Sequence, residues 1–240
     1  MKWLKARIKK IRIIRLIYNF LKPYFRERFA IIQGHKIFIN RKDYRSCEHL
    51  LEGIYEPEET EIVKREVGKG DIVVDLGANV GYYTLLLANL VGSEGRVYAF
   101  EPDPTNFALL EKNVKANNYS NVILERKGVL DKTGKSELWL RSDVNKAGHR
   151  IVPIDKSIYY SKPIEIDVVN LDDYFKDQKI DFIKMDIEGS ETMALKGMKN
   201  ILKGNVKILI EGNTDSEYIK ELHNFKIYKI NNDNLFCIKE

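Results

Sequence analysis

Cysteine and histidine are scarce in this chain. Its 240 residues include two cysteines, Cys47 and Cys237, and four scattered histidines. The cysteines lie far apart and no histidine pair has the spacing of a metal site, so neither a disulfide framework nor a zinc motif is indicated. This pattern is typical of a reducing compartment, and we expect a cytoplasmic protein.

Long apolar runs are missing from the basic N-terminal end. Residues 1–30 carry ten lysines and arginines against the single acid Glu27, whereas the other 210 residues carry 30 bases and 34 acids. The longest uncharged stretch of this arm, residues 16–21, has six residues, and a membrane-spanning helix needs about 20. The sequence therefore indicates neither a signal peptide nor a transmembrane helix.

The basic arm is nevertheless amphipathic, because apolar residues recur along one helical face and lysines lie roughly opposite. Two interpretations are equally open: a helix packed on the rest of the protein, or a helix that lies on an anionic membrane through residues 1–22. Binding of nucleic acid fits less well, since isoleucine contributes little to RNA recognition and the rest of the chain is acidic. The membrane interpretation predicts a peripheral protein at the inner face of the membrane.

The two common phosphate-binding motifs are absent. A P-loop requires Gly-x-x-x-x-Gly-Lys-Ser/Thr, which does not occur, and Asn79 stands where a dinucleotide turn needs its middle glycine. That glycine lets the backbone close on a pyrophosphate, and the side chain of Asn79 intrudes on the approach. Asp75 would also repel a phosphate. These features exclude a hydride-transfer enzyme of the dinucleotide-binding type.

A cofactor turn is present in residues 72–81. An apolar strand leads into Asp75, two glycines follow at positions 77 and 81, and a helical pattern begins at Tyr82. Twenty residues beyond Gly81, a second apolar strand ends in Glu101, whose carboxylate can accept both hydroxyls of a ribose. Asp75 suits an α-ammonium group. S-adenosylmethionine (SAM) combines an ammonium, a carboxylate and a ribose without a phosphate, so the sequence favours SAM as the cofactor.

The order of elements predicts an α/β fold. A hairpin over residues 28–33 and 36–40 precedes a helix from Glu56 to about Val67. From residue 71 onward strands and helices alternate, with strands at 72–76, 96–101, 121–127, 181–185 and 206–210 and helices at 82–91, 105–117, 190–202 and 216–223. Such alternation predicts a parallel sheet with right-handed crossovers.

The chain is predicted to close with a hairpin, 225–231 and 234–239, which makes seven strands. This is the plan of the doubly wound, mostly parallel, Rossmann-like sheet of class I methyltransferases, whose last strand is antiparallel. The extended segments 136–141 and 164–170, with the polar stretch 142–163 between them, predict an excursion off the sheet. We divide the chain into an arm and hairpin, 1–54, and a SAM-dependent domain, 55–240.

A second group of polar side chains follows the predicted strand 181–185. Asp186 and Glu188 come directly after it, and Glu211 follows the fifth strand. Because ligands bind at the carboxyl ends of parallel strands, these acids should lie beside the cofactor turn. Either Asp186 or Glu188 can serve as a general base, with His149 as a more distant candidate. A carboxylate pair can also bind Mg²⁺, but the sequence contains no unambiguous metal set, and we predict no metal site.

Several segments in order resemble the FkbM family of SAM-dependent methyltransferases. They are 75–81, 97–102, 113–117, 171–174 and 183–191, and the resemblance covers about residues 53–212. It implies a class I enzyme that methylates a hydroxyl oxygen of a sugar, glycan, glycolipid or other small metabolite. The basic arm lies outside it and inherits nothing from it.

The resemblance also implies roles for individual residues. At the methionine end of SAM it implies Asp75, Gly77, Asn79 and Gly81. Glu101 would hold the ribose, and Asp186 would face the sulfonium and the acceptor. Around the adenine it implies Asp103 or its neighbour Pro102, then Gly128 and Val129 at the end of the third strand, and Asp131 near the amino group.

Two other functions remain open at this point. A methyltransferase that acts on a nucleic-acid amine is expected to carry Asn/Asp-Pro-Pro-Tyr after the fourth strand, where this chain has residues 186–189, Asp-Ile-Glu-Gly. The acidic body also disfavours a polyanionic substrate. A SAM-binding or membrane-docking protein without catalysis is the other alternative, and it would need a lost base or a blocked pocket.

Overall fold

The computed structural model describes residues 29–39, 50, 53, 55–140, 149–151 and 163–239. The basic arm and most of the predicted excursion 142–163 lie outside the described residues. Within the described part, no helix is long and apolar enough to cross a membrane.

The described elements alternate as the sequence predicts. In chain order they are β1 (Phe29–Ile32), β2 (His35–Phe38), α1 (Pro57–Glu66), β3 (Ile72–Leu76), α2 (Tyr82–Val91), β4 (Arg96–Phe100), α3 (Pro104–Ala116), β5 (Val122–Glu125), β6 (Gly128–Val129), β7 (Gly134–Leu138), β8 (Ile164–Val169), α4 (Leu171–Phe175), β9 (Phe182–Met185), α5 (Glu191–Lys196), β10 (Lys207–Glu211), β11 (Phe225–Lys229) and β12 (Asn234–Lys239). Two short 3₁₀ helices, Ile201–Lys203 and Glu217–Leu222, flank β10.

Seven strands form the central sheet, in the order β5-β4-β3-β9-β10-β12-β11. All neighbouring pairs are parallel except the two that β12 makes, which are antiparallel. The central strands β3 and β9 are buried on both faces, because helices cover each side, and they are correspondingly apolar. This confirms the predicted doubly wound fold of class I methyltransferases.

The register of the central strands brings polar residues together. Asp75 on β3 lies beside Lys184 on β9, and the chain direction carries both strands to the same edge. Earlier in both strands, further from that edge, the residues are apolar. Val73 and Phe182, for example, are fully buried under α2. The two charged residues therefore lie between the apolar core and the edge where ligands bind.

Two asparagines fasten the N-terminal hairpin to the domain: Asn113 on α3, and Asn117 just after it, which bonds the backbone of Lys36. Asn113 on α3 is fully buried. Its Oδ1 accepts from the backbone N–H of Phe38 at 2.7 Å, and its Nδ2 donates to the carbonyls of Phe38 at 3.0 Å and Val80 at 2.7 Å. The same side chain thus joins β2, α3 and the cofactor turn.

The extended segments predicted on either side of residues 142–163 contribute β7 and β8 to a second sheet, of order β6-β8-β7. The sequence placed Gly128 and Val129 at the end of a third strand over 121–127, and this was wrong. The strand β5 ends at Glu125, and Gly128 and Val129 form β6, which pairs in parallel with β8. A Cβ on Gly128 would lie 2.4 Å from Cδ1 of Ile151, so a larger residue there would displace the Ile151 side chain.

The two C-terminal helices are shorter than predicted. The helix predicted over 190–202 is α5, which ends at Lys196, and a 3₁₀ turn follows. Gly197 packs on a backbone carbonyl, since a Cβ there would lie 2.3 Å from the oxygen of Leu130. The segment 216–223 forms a 3₁₀ helix rather than an α-helix.

Candidate cofactor and acceptor site

The glycine turn after β3 adopts a conformation that side chains disfavour. Gly77, Asn79 and Gly81 all have positive φ, of 80°, 50° and 98°. A Cβ on Gly77 would lie 1.8 Å from the carbonyl oxygen of Asp186, so the turn can rest on the end of β9 only with glycine at this position. The turn and the segment after β9 are therefore in direct contact.

Glu101 lies under this turn, and its carboxylate is fixed at both oxygens. Oε2 accepts from the backbone N–H of Asn79 at 2.8 Å, and Oε1 accepts from the N–H of Asp103 at 2.9 Å. Burial raises the pKa of Glu101 to about 8, against the opposing effect of these two N–H donors. The carboxyl group is oriented before any ligand arrives.

A cavity of about 690 Å³, open to solvent, lies beside Glu101. Phe100, Pro102 and Ile151 form apolar walls. Seven of the residues selected from the sequence also line it: Gly77, Asn79, Glu101, Gly128, Val129, Asp186 and Glu188. The structure thus brings residues of β4 and β6, the segment after β9 and the glycine turn to one cavity.

A smaller cavity of about 460 Å³ adjoins the first one. The two share Tyr55, Gly77, Asn79 and Asp186 as lining residues, and the smaller cavity adds Asp75 and Lys184. Asp75 is buried and accepts a 2.5 Å hydrogen bond from Oγ1 of Thr84. Burial raises the pKa of Asp75 to about 6, while Thr84 and Lys184 oppose the shift.

Three carboxylates meet where β9 and β10 end. Asp186, Glu188 and Glu211 each offer an oxygen within 4.8 Å of the others. Burial, and then the hydrogen bond and charge of Asp186, raise the pKa of Glu211 to about 10. Burial opposes ionisation of Asp186 as well, but the Lys184 ammonium and the hydrogen bond with Glu211 hold its pKa below the ordinary value. At neutral pH, Asp186 is therefore an anion that accepts a hydrogen bond from protonated Glu211.

Cations already offset part of this negative charge. Nζ of Lys184 lies 3.7 Å from Oδ2 of Asp186, and Nη2 of Arg150 lies 3.7 Å from Oε2 of Glu188. Within the described ranges this is the one group of carboxylates close enough to share a metal ion. Acidic groups of this size are common without one, and we assign no metal site.

The comparison with known families agrees with this geometry. Residues 75–238 match the family model described as the methyltransferase FkbM domain. The chain belongs to the FkbM methyltransferase family. This confirms the resemblance seen in the sequence, and the family is dependent on SAM.

Three curated proteins are similar to this chain. Methyltransferase 1 of Beauveria bassiana is 26% identical over 52% of this chain and 57% of its own length. The 31-O-demethyl-FK506 methyltransferase FkbM of Streptomyces tacrolimicus is 26% identical over 56% and 62%. The hexuronic acid methyltransferase AglP of Haloferax volcanii is 26% identical over 74% and 73%. The chain spans about three fifths of the length of the first two.

Three residues selected as FkbM-family cofactor contacts line neither cavity. Gly81 precedes α2, where a Cβ would lie 2.7 Å from Cδ1 of Leu110. Asp103 is the N-cap of α3 and accepts from two backbone N–H groups at 2.8 Å, while its neighbour Pro102 lines the larger cavity. Asp131 is exposed, and its carbonyl accepts from Nδ2 of Asn170 at 3.0 Å. Gly81 and Asp103 therefore stabilise the starts of α2 and α3, and Asp131 lies on the surface.

His149, the more distant candidate for the base, lies beside Asp103. Its Nε2 is 3.7 Å from Oδ2 of Asp103, and the buried ring lines the larger cavity.

Two residues of the site, Lys184 and Glu56, were not predicted from the sequence. Lys184 is 2% exposed on a central strand, and a lysine within an otherwise apolar run was the signal that could have revealed it. Glu56 accepts a 2.7 Å hydrogen bond from the hydroxyl of Tyr83. Its position at the start of α1 gave no indication of that contact, which tertiary packing creates.

Proposed function

We propose that this chain is a SAM-dependent methyltransferase that methylates a hydroxyl oxygen of a sugar, glycan, glycolipid or other small metabolite. The observation that carries this proposal is the position of Asp186, which lines both cavities at their junction. An ionised carboxylate there can reach a ligand in either cavity.

The described residues fit SAM group by group. Glu101 offers a fixed carboxylate for the ribose hydroxyls, and the walls formed by Phe100, Val129 and Ile151 suit a purine ring. Asp75, on the smaller cavity, suits the α-ammonium group. Asp103 and Asp131 are not part of this proposal for the adenine, and Pro102 takes that place.

Asp186 is proposed as the general base. When bound, SAM supplies an electrophilic methyl group, and a hydroxyl acceptor becomes a better nucleophile as its proton is withdrawn. Asp186 can accept that proton because Lys184 and Glu211 keep it ionised. Glu188 remains a candidate for the same role, although its pairing with Arg150 makes it less available.

The polar side chains around Glu211 support the proposal that the acceptor carries several hydroxyl groups. The cleft beyond it is lined by carboxylates and amides, among them Glu188, Asn213, Asn232 and Asp233. Such groups accept and donate the hydrogen bonds that sugar hydroxyls make. Two relatives, named for 31-O-demethyl-FK506 and hexuronic acid, support the same class of acceptor.

The experiment incubates the full chain with methyl-labelled SAM and a panel of acceptors. The panel contains neutral glycosides, uronic acids, lipid-linked sugars and unmodified tRNA, and it is repeated with Asp186→Asn. Label in a hydroxyl acceptor, lost in the variant, supports the proposal. Label in tRNA alone contradicts it, as does cofactor binding without any methylated product.

We also propose that residues 1–22 bring a cytoplasmic enzyme to an anionic membrane surface. The basic, amphipathic pattern of this arm supports the proposal. A membrane location would place the enzyme near lipid-linked sugars.

A further inference from the structure

The smaller cavity has a single cationic side chain among its lining residues, within the described part of the chain. It is Lys184, which is 2% exposed and lies on the central strand β9. Its register partner on β3 is Asp75, and Asp186 follows two residues later on the same strand face. A buried cation at this position costs free energy unless it is paired.

Lys184 keeps its charge in this environment. Burial lowers the pKa of a lysine, but the negative charges of Asp186, Glu56 and Asp75 outweigh that effect and raise the pKa of Lys184 above its ordinary value. The ring of Tyr83 adds a cation–π contact, with Nζ 5.0 Å from the ring centroid. The cavity therefore presents a permanent ammonium group to a ligand.

The ion pair with Asp186 leaves the Lys184 ammonium able to bind a second carboxylate. The separation of 3.7 Å from Oδ2 is longer than a hydrogen bond, which spans about 2.7–3.2 Å. A lysine has three N–H donors and can serve Asp186 together with a second carboxylate. The nearby hydroxyls are engaged elsewhere, because Tyr83 donates to Glu56 and Tyr82 shares a hydrogen bond with Thr60.

The charge pattern of the cavity matches an α-amino acid. Asp75 and Asp186 provide negative charge, and Lys184 provides positive charge within the same small volume. The proposed cofactor ends in an α-ammonium and an α-carboxylate, and Lys184 is the one cationic partner for that carboxylate among the described residues that line this cavity. Its nucleoside end fits the adjoining larger cavity, beside Glu101.

We propose that Lys184 binds the α-carboxylate of the methionine moiety of SAM. The inference rests on the proposed function and adds to it a cofactor-binding residue that also holds Asp186. Lys184 thereby connects cofactor binding to the base, since one ammonium contacts both.

The test is a calorimetric cycle with two ligands and full-length protein. The ligands are S-adenosylhomocysteine (SAH) and its decarboxylated form, 5′-(3-aminopropylthio)-5′-deoxyadenosine. Wild type should bind SAH at least about tenfold more tightly, a difference of about 1.4 kcal/mol. In Lys184→Met that preference should fall to within about threefold, and Lys184→Arg should restore part of it. Lys207→Met is the matched control, because Lys207 lies on the adjacent strand and pairs with Glu66 at 3.2 Å, outside both cavities.

The outcomes separate this inference from the proposed function. Equal binding of the two ligands by wild type overturns the role of Lys184, and this comparison needs no variant to fold. An unchanged preference in Lys184→Met overturns it as well. If wild type binds neither ligand, the proposed function itself fails, and the inference fails with it.

Discussion

The backbone N–H of Asn79 donates a 2.8 Å hydrogen bond to Oε2 of Glu101. This bond joins the glycine turn after β3 to the end of β4. Two features that the sequence presents 22 residues apart are thus one structural unit. The turn adopts its shape around the carboxylate, and the carboxylate is held in place for a ligand.

Glu101→Gln should weaken binding of SAH by about 1.5–3 kcal/mol, the range for hydrogen bonds to charged groups. The amide would also set an N–H group against one of the two backbone donors. Isothermal titration measures the change. Glu125→Gln is the matched control, because Glu125 ends the neighbouring strand and binds Tyr174 and Lys127 instead. Unchanged SAH affinity in Glu101→Gln would remove this residue from the site.

The raised pKa of Glu101 predicts that both the stability of the protein and its affinity for SAH depend on pH. The pKa of Glu101 is raised from its ordinary 4.5 to about 8, so between these values the folded protein holds a proton that the unfolded chain has released. The free energy of unfolding of the ligand-free protein should therefore fall as pH rises through this window. Affinity for SAH should rise over pH 6–9, because ribose hydroxyls donate to the ionised form. Glu101→Gln should lose this component of both trends, and persistence of both would contradict the assignment.

Asp186 and Glu211 should respond differently to amide substitution. Asp186→Asn removes the proposed base and should slow methyl transfer by roughly 10²–10⁴-fold. Glu211→Gln should retain most of the rate, because an amide donates to Asp186 as the protonated carboxyl does. Single-turnover transfer from labelled SAM compares the two. A larger loss of rate in Glu211→Gln than in Asp186→Asn would indicate that Glu211 is the base and Asp186 its partner.

Asn113→Ala should destabilise the protein by about 2–4 kcal/mol, because it leaves buried backbone groups of Phe38 and Val80 without their partner. Urea unfolding measures the change. Asn224→Ala, at an exposed position, should change the free energy of unfolding by less than about 0.5 kcal/mol. Equal stabilities of the two variants would show that the hairpin is held by other contacts.

Deletion of residues 1–22 should leave SAH affinity unchanged and reduce binding to vesicles of anionic phospholipid. Cosedimentation with vesicles measures the second effect, and vesicles of neutral lipid are the control. Equal vesicle binding by the truncated protein would contradict the membrane role of the arm. Loss of folding would favour a helix that packs on the domain.

Local signals made most of the central sheet predictable. Strand β3 and helix α2 have the predicted bounds, 72–76 and 82–91, because an apolar run, two glycines and a helical repeat all lie within 20 residues. The positive φ of Gly77 and Gly81 is what that glycine spacing indicates. The sequence also placed Asp186 correctly at the edge of the sheet, from the rule that parallel strands end together.

Long-range contacts were the part that the sequence did not show. Strand β6 has two residues, and its partner β8 begins 36 residues after Gly128, so no local pattern marks the pairing. The hydrogen bond between Tyr83 and Glu56 and the ion pair of Lys184 arise from packing between separate elements. For the same reason, Asp131 was expected at the adenine and lies exposed outside both cavities.

Thermal unfolding of the full chain with added ligand shows whether the protein binds SAM and its product. Separate samples contain SAM, SAH or NAD at about one hundred times the expected Kd, which should add about 2.7 kcal/mol for a bound ligand. SAM and SAH should raise the Tm by roughly 5–11 °C, and NAD should not. No shift with SAM or SAH, or an equal shift with NAD, would contradict this prediction.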